Sequence, residues 1–117
     1  MEEITQPAAQ IHIRHLSGRN PVSGQFASSM LAQFRQALTE GSSALQQHGC
    51  TLHDVTRIVC TVDGTQDFSS CFTTLNELFG PTCPAMTFRL VRAHASQGQR
   101  IELDLVATPM ESGSPTG

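Results

Sequence analysis

The sequence predicts an α+β fold in which a mixed β-sheet carries two helices on one of its faces. Two stretches place apolar residues at helical spacing, and four shorter ones alternate apolar and polar residues as half-buried strands do. Their order is strand, helix, strand, helix, strand, strand, which suits a layer of helices on a layer of sheet. The 117 residues allow one hydrophobic core and are too few for two ordinary domains.

We place the single domain at residues 10–108. Residues 1–9 and residues 109–117, which contain Ser, Gly and Pro, are predicted to be disordered ends. Residues 11–16 alternate apolar and polar side chains and are predicted to form the first strand. Residues 17–24 gather turn formers, so we expect the chain to leave the sheet there and cross an end of the domain.

The longest predicted element is a helix over residues 27–48, where leucine and phenylalanine recur at helical spacing. Gly49 follows it in the position of a left-handed C-cap. Gly41 lies inside this helix and costs about 1 kcal/mol relative to alanine, so we expect a packing reason for it.

The second half of the domain is predicted to hold a strand, a shorter helix and two further strands. The strand covers residues 55–62, and the helix is expected to begin after Asp67 as N-cap and to end at Gly80. Residues 87–93 and 100–108 both alternate and are separated by a short polar stretch. They are predicted to be neighbouring strands joined by a hairpin or short loop.

The last strand suggests that copies of the chain associate. Ile101, Leu103 and Leu105 are expected to face the helices, which leaves Glu102 and Asp104 on the opposite side of the sheet. A monomer would present that side to water. We therefore expect neighbouring copies to cover it, although a solvated face is an equally simple interpretation of the two carboxylates.

Composition excludes several classes of function. All seven basic residues are arginines, so a Schiff-base lysine and a phosphate-loop lysine are both excluded. The net charge of -3 and the scattered arginines argue against a nucleic-acid partner. No secretory signal and no membrane-spanning apolar run are visible, so we expect a cytoplasmic protein with reduced thiols and no membrane partner.

No metal site and no cofactor are predicted. The four cysteines lack the close pairs that bind zinc, and alternation is expected to point His12 and His15 to different faces of the first strand. Cys60 and Cys71 are expected to be buried and inert. Cys83 is the thiol whose reactivity is worth testing.

Five short motifs occur in an order that resembles a known family. They are Ser17-Gly18 ahead of a Pro-containing loop, Gly49 with Leu52 to Val55, Asp67-Phe68, Pro84-Ala85 before a strand, and Ile101-Glu102 on the last strand. Over roughly residues 16–108 this set resembles the Rid (YjgF/YER057c/UK114) superfamily. The resemblance implies a chorismate-mutase-like fold and a homotrimer with a central β-barrel. It also implies small-molecule pockets at the subunit boundaries. Assembly into this trimer would bury the free face of the sheet.

The same resemblance implies an activity and a set of site residues. The best-known Rid proteins hydrolyse reactive imines and enamines, and Glu102 corresponds to their catalytic glutamate. The residues expected to line the ligand pocket are Ser17, Gly18, Arg19, Phe72, Ala85 and Met86. A positioned carboxylate such as Glu102 can orient or activate a water molecule for attack on an imine carbon.

The sequence departs from the family where its active members bind the substrate carboxylate. Their arginine after Pro-Ala is Met86 here, their asparagine is Phe72, and the chain has no tyrosine for the pocket. A thioether cannot replace a guanidinium that binds a carboxylate through two hydrogen bonds. Arg19, Arg89 or Arg92 could supply a displaced guanidinium, although each is first interpreted as a surface residue.

Two functions therefore remain open. One is an imine or enamine deaminase with an altered substrate, and the other is a ligand-binding or assembly module that has lost the chemistry.

Overall fold

The computed structural model describes residues 9–109, and its main elements occur in the predicted order. These elements are β1 (Ile11–Leu16), α1 (Met30–Gln47), β2 (Val55–Val62), α2 (Cys71–Phe79), β3 (Ala85–Leu90) and β4 (Ile101–Ala107). Apart from residues 9 and 109, the predicted disordered ends lie outside the described residues. Within residues 9–109, neither helix is both long and apolar enough to cross a membrane.

The sheet is mixed, and its strand order is β1-β4-β2-β3. Strand β4 runs antiparallel to both β1 and β2, whereas β3 pairs in parallel with β2 at the edge. The prediction that the last two strands are neighbours is therefore wrong. Helix α2 carries the chain from β2 back to the start of a parallel β3, and the chain then crosses the sheet so that β4 takes a central position.

Helix α1 packs closely against β4, which explains the glycine inside it. A Cβ on Gly41 would lie 2.6 Å from Cδ1 of Leu105 and 3.0 Å from Cδ1 of Leu16. The expected packing reason is confirmed, because a side chain at this position would push the helix away from the sheet. The helix begins after Ser29, whose side chain accepts a hydrogen bond from the first turn, and Gly49 follows it with φ +75°.

One buried amide attaches two loops to α1. Nε2 of Gln33 donates to the carbonyls of Ala27 and Gly98, and its Oε1 accepts from the N–H of Arg100. Gly18 lies so close to the helix that an added Cβ would be 2.3 Å from the carbonyl oxygen of Gln33. These contacts fix the loop after β1 and the segment before β4 at the same end of the domain.

Asp67 does not cap α2 directly, because a single 3₁₀ turn over residues 67–70 precedes the helix. Its carboxylate pairs instead with Arg100, which also contacts Asp63 at 3.4 Å. The two carboxylates raise the pKa of the Arg100 guanidinium above its ordinary value. This ion pair connects the start of β4 to the segment that leads into α2.

Candidate open-face cluster and edge hollow

The side of the sheet away from the helices, called here the open face, is mostly polar. By the strand pairing, its side chains are those of His12, Arg14, Arg57, Val59, Thr61, Ala85, Thr87, Arg89, Glu102, Asp104 and Val106. The predicted orientation of β4 is confirmed, since Ile101, Leu103 and Leu105 are fully buried on the helix side. Because the open face is polar, its exposure alone is a weaker argument for association than the sequence suggested.

Three residues, His15, Glu102 and Asp104, lie close together on this face. Nδ1 of His15 lies 2.6 Å from Oε2 of Glu102, and the backbone N–H of His15 donates to Oδ1 of Asp104 at 2.9 Å. One ligand atom from each of the three side chains lies within 4.8 Å of the other two. His15, Glu102 and Asp104 are called the open-face cluster below.

His15 joins this cluster because β1 contains a bulge. The pairing register with β4 shifts between Ile13 and Leu16, and His15 adopts the left-handed φ of 62°. Simple alternation would have pointed its side chain toward the helices. The prediction that His12 and His15 point to different faces is therefore wrong. The sequence has no glycine or asparagine at the bulge, so the alternation of apolar and polar residues could not predict it.

A second surface lies at the β3 edge of the sheet, on the helix side. Thr65, Phe68, Phe72 and Phe88 line a hollow of about 160 Å³, called here the edge hollow. The rings of Phe72 and Phe88 each meet the buried ring of Phe68 edge to face, with centroids 5.3 and 4.9 Å from it. Phe72 is 50% exposed and Leu90, farther along β3, is 67% exposed. This edge therefore presents aromatic and aliphatic surface to solvent.

Met86 lies on the edge strand β3, and its side chain is on the opposite face of the sheet from Glu102. It pairs with Ile58 of β2, shares the helix side of β3 with Phe88, and packs against the core. Glu102 pairs with Thr61, whose partner on β3 is Arg89. Of the arginines considered for a displaced guanidinium, Arg89 is thus the one on the open face in line with Glu102.

The other predicted pocket residues divide between structural and peripheral positions. Ser17 directly follows the strand residue paired with Leu103, so it begins the loop beside Glu102. Gly18 is buried against α1. The Arg19 guanidinium donates to the Gly24 carbonyl at 2.8 Å and lies 4.7 Å from the ring centre of Phe26. Its own loop binds this guanidinium, so within one chain Arg19 has a structural role.

Ala85 begins β3 on the open face, opposite Arg57. Within one chain, Glu102, Ser17 and Ala85 therefore lie at the open face. Phe72 and Met86 lie at the edge, and Gly18 and Arg19 belong to the loop after β1.

A larger hollow of about 430 Å³ lies elsewhere, between the outer sides of the two helices. Its lining includes Arg35, Leu38, Thr74 and Leu78. Nε of Arg35 donates to the Thr74 hydroxyl at 3.3 Å, so part of the guanidinium is already bound there. Because Glu102 and the predicted pocket residues lie outside it, we base the site on chemistry and not on volume.

The cysteines follow the sequence prediction. Cys60 and Cys71 are fully buried, and burial raises the pKa of Cys60 to about 12 and that of Cys71 to about 11. Both thiols are therefore neutral and unreactive at ordinary pH. Cys83, next to the start of β3, is exposed.

Comparisons with known proteins identify the fold. No protein-family model and no curated protein matches the sequence. A solved structure of RidA from an Antarctic Psychrobacter has a TM-score of 0.79 and 17% identity, covering 90% of this chain and 85% of that chain. A putative endoribonuclease L-PSP from Entamoeba histolytica has a TM-score of 0.76 and 22% identity, with 86% and 80% of the two chains covered.

A third structure has higher sequence identity. It is a member of the YjgF/YER057c/UK114 family from Mycobacterium tuberculosis, with 28% identity, a TM-score of 0.66, and 71% and 70% of the two chains covered. The mixed sheet, the two helices on one face and these likenesses together show that the chain has the fold of Rid superfamily proteins.

Proposed function

We propose that the protein is a Rid-like homotrimer that hydrolyses small imines or enamines, or related carbonyl compounds, in pockets between subunits. The observation that carries this proposal is the separation of the candidate site onto two incomplete surfaces. The open-face cluster offers carboxylates on a mostly polar surface, and the edge hollow offers apolar walls without a carboxylate. The four unpaired cysteines suit a reducing cytoplasm.

Contact between copies would bring the two surfaces together. The β3 edge has no strand partner on its outer side within residues 9–109, and it exposes Phe72, Phe88 and Leu90. An unpaired edge beside an apolar patch is a typical site of association. If this edge docks beside the open face of a neighbour, it excludes water from its own aromatic rings and encloses the neighbour's Glu102.

Glu102 would supply the general base for hydrolysis. Its carboxylate removes a proton from water as the water oxygen attacks the imine carbon, which gives a carbinolamine. Proton transfer to nitrogen and breakage of the carbon–nitrogen bond then release ammonia and leave the carbonyl product. His15 contacts Oε2 of Glu102, and Oε1 accepts no hydrogen bond from the described residues, so this oxygen is available to a water molecule.

The substrate's own charge would be bound differently from that in proteins with an arginine after Pro-Ala. Met86 packs on the core, whereas Arg89 lies on the open face and its guanidinium makes no hydrogen bond with another described residue. Arg89 is thus available for a carboxylate, and the aromatic edge favours an apolar substituent. We expect 2-imino acids with aliphatic or aromatic side chains to be the better substrates.

The test is hydrolysis of several 2-imino acids generated in solution, measured as ammonia release above the buffer rate. Glu102→Gln should lower the rate constant at least about tenfold, because a general base contributes about 10²–10⁴. Glu77→Gln, an exposed glutamate on α2, is the matched control and should leave the rate unchanged. Equal rates for the wild type and Glu102→Gln would remove the deaminase proposal.

The alternative is a trimeric ligand-binding or assembly module without catalysis. It is favoured by the methionine at position 86, where a bidentate carboxylate clamp is expected from the resemblance. This alternative predicts a stable trimer whose imine hydrolysis equals that of buffer. Arg89→Gln separates the two, since only the deaminase should show a higher KM for 2-imino acids with kcat little changed.

A further inference from the structure

We infer that the open-face cluster is a binding site for one divalent transition-metal ion per chain, of the Zn²⁺ and Co²⁺ type. This inference concerns binding alone, and it holds whether or not the protein hydrolyses imines. It rests on the ligand types, their mutual distances and the atoms that they leave unused.

The ligand types suit such an ion. The cluster combines one imidazole nitrogen with two carboxylates, from His15, Glu102 and Asp104. Imidazole favours zinc, copper, iron and nickel over magnesium and calcium, and carboxylates complete many such sites. Three protein ligands with water in the fourth position is the usual arrangement of an open zinc site.

The distances require side-chain movements of roughly 0.7 to 1.5 Å. The three ligand atoms lie within 4.8 Å of one another, and the Nδ1 to Oε2 separation is 2.6 Å. Two ligands of one tetrahedral zinc ion lie roughly 3.3 Å apart, so Nδ1 and Oε2 must separate by roughly 0.7 Å. A pair at the 4.8 Å limit must approach by roughly 1.5 Å. The side chain of His15 is 81% exposed and that of Glu102 is 27% exposed, so neither is tightly packed.

The carboxylates also have unused oxygens. Within residues 9–109, Oε1 of Glu102 and Oδ2 of Asp104 accept no hydrogen bond, and no arginine lies within ion-pair distance of either residue. Both residues project from the same face of β4 and repel each other, so a cation between them would lower this repulsion. In the folded chain the bulge of β1 brings the third ligand into place before any metal arrives.

The cluster differs from a chance group of acidic residues in the role of His15. Its backbone N–H binds Asp104 and its ring contacts Glu102, so one residue contacts both carboxylates. A metal ion would take the place of the direct contact between Nδ1 and Oε2.

The experiment uses the full chain, freed of metal by chelation and titrated with Co²⁺ and then with Zn²⁺. Binding is followed by calorimetry and by cobalt absorption, in which thiolate ligation is distinguishable from ligation by nitrogen and oxygen. We expect one Co²⁺ per chain with no thiolate band, displaced by Zn²⁺. His15→Asn should weaken binding at least about tenfold, since loss of even an outer partner of a metal ligand costs 10–100-fold.

The control variants separate this site from other metal ligands. Asparagine tolerates the left-handed backbone at position 15, so His15→Asn should keep the fold. His12→Asn removes an exposed imidazole from the same strand, and Cys83→Ser removes the exposed thiol, and neither should change the affinity. Undiminished binding by His15→Asn, or no binding by the wild type, overturns the inference.

The outcome is independent of the proposed hydrolysis. Activity is measured separately in buffer with a chelator, where Glu102 acts without metal. A protein that binds Co²⁺ through the cluster but releases no ammonia would retain this inference and lose the proposed function. The reverse result would retain the function and remove the metal site.

Discussion

The open-face cluster and the edge hollow differ in how the rest of the fold supports them. The cluster stands on β4, a central strand whose other side is fully buried against α1 at Leu103 and Leu105. The hollow stands beside β3, which has one strand neighbour and leaves Phe88 and Leu90 exposed to solvent, as α2 leaves Phe72. The polar groups therefore lie on a central strand of the sheet, and the apolar groups lie at an edge that has no strand partner among the described residues. Each surface lacks what the other provides, and this difference is the basis of the proposal that the site forms at the contact between copies.

The largest expected contrast is in thiol reactivity. Cys60 of β2 is buried between the sheet and the helices, whereas Cys83 is exposed just before the edge strand β3. An alkylating reagent at pH 8 should modify Cys83 at least about a thousandfold faster than Cys60, because a buried thiol reacts only after unfolding that costs several kcal/mol. Mass spectrometry of peptides over time measures both rates. Similar rates would show that the sheet centre is not the better protected region.

The same thiols set a pH dependence. Their folded pKa values, about 12 for Cys60 and about 11 for Cys71, lie above the ordinary 9.0. Raised values mean that the folded state favours the neutral thiols. This contribution is fully present below pH 9 and is lost as the pH rises toward 11 and 12. Chemical denaturation at pH 8 and 10.5 should show lower stability at the higher pH, and a Cys60→Ala, Cys71→Ala double variant should lose part of that difference.

The next effect concerns assembly through the edge. Leu90→Glu places a charge on the exposed apolar strip of β3 and should convert a trimer into monomers without loss of secondary structure. Val22→Glu is the control, because Val22 is 94% exposed but lies in the loop before α1. Sedimentation of the three proteins provides the measurement. An unchanged mass for Leu90→Glu, or a monomeric wild type, would contradict association by this edge.

A smaller effect tests how firmly the fold holds the loop beside the cluster. Gly18 and Gly24 both have φ +75°, but only Gly18 lacks room for a Cβ, which would lie 2.3 Å from a backbone oxygen of α1. Gly18→Ala should lower the free energy of unfolding by about 3 kcal/mol, from backbone strain and from displacement of the loop. Gly24→Ala should cost about 1 to 2 kcal/mol, from the left-handed backbone alone. Equal losses in denaturant unfolding would mean that the loop moves away from α1 at no cost.

Sequence patterns predicted the elements and the faces of the sheet better than they predicted its neighbours. The alternation of Ile101, Leu103 and Leu105 correctly identified a buried side, and Gly41 correctly indicated close packing. The position of β4 could not be read from this pattern, since alternation is the same in a central strand and in a hairpin partner. Strand order depends on the crossover through α2, which brings β3 parallel to β2.

The candidate site shows the same limit. Glu102 was identifiable from its motif and its face, because both are local properties of one strand. Its partner His15 was not, because a bulge between Ile13 and Leu16 changes the face of that one residue. The exposure of Phe88 was not predicted either, because alternation does not show whether the apolar side of a strand is buried in the core or exposed at a sheet edge. Both misses are long-range properties that arise only when strands pair.

The smallest expected effect is the stability lost on removing the partner of Glu102. His15→Asn keeps a residue that accepts the left-handed backbone, so the variant tests the contact between Nδ1 and Oε2 with little other disturbance. Because the imidazole is 81% exposed, the loss should stay below about 1 kcal/mol. His12→Asn, on the same strand without such a contact, should change stability less still. A loss above about 2 kcal/mol would mean that the cluster helps to hold the sheet together, and a change in activity could then no longer be separated from a change in folding. A small loss would instead leave the open face as a surface on which substitutions report binding and chemistry.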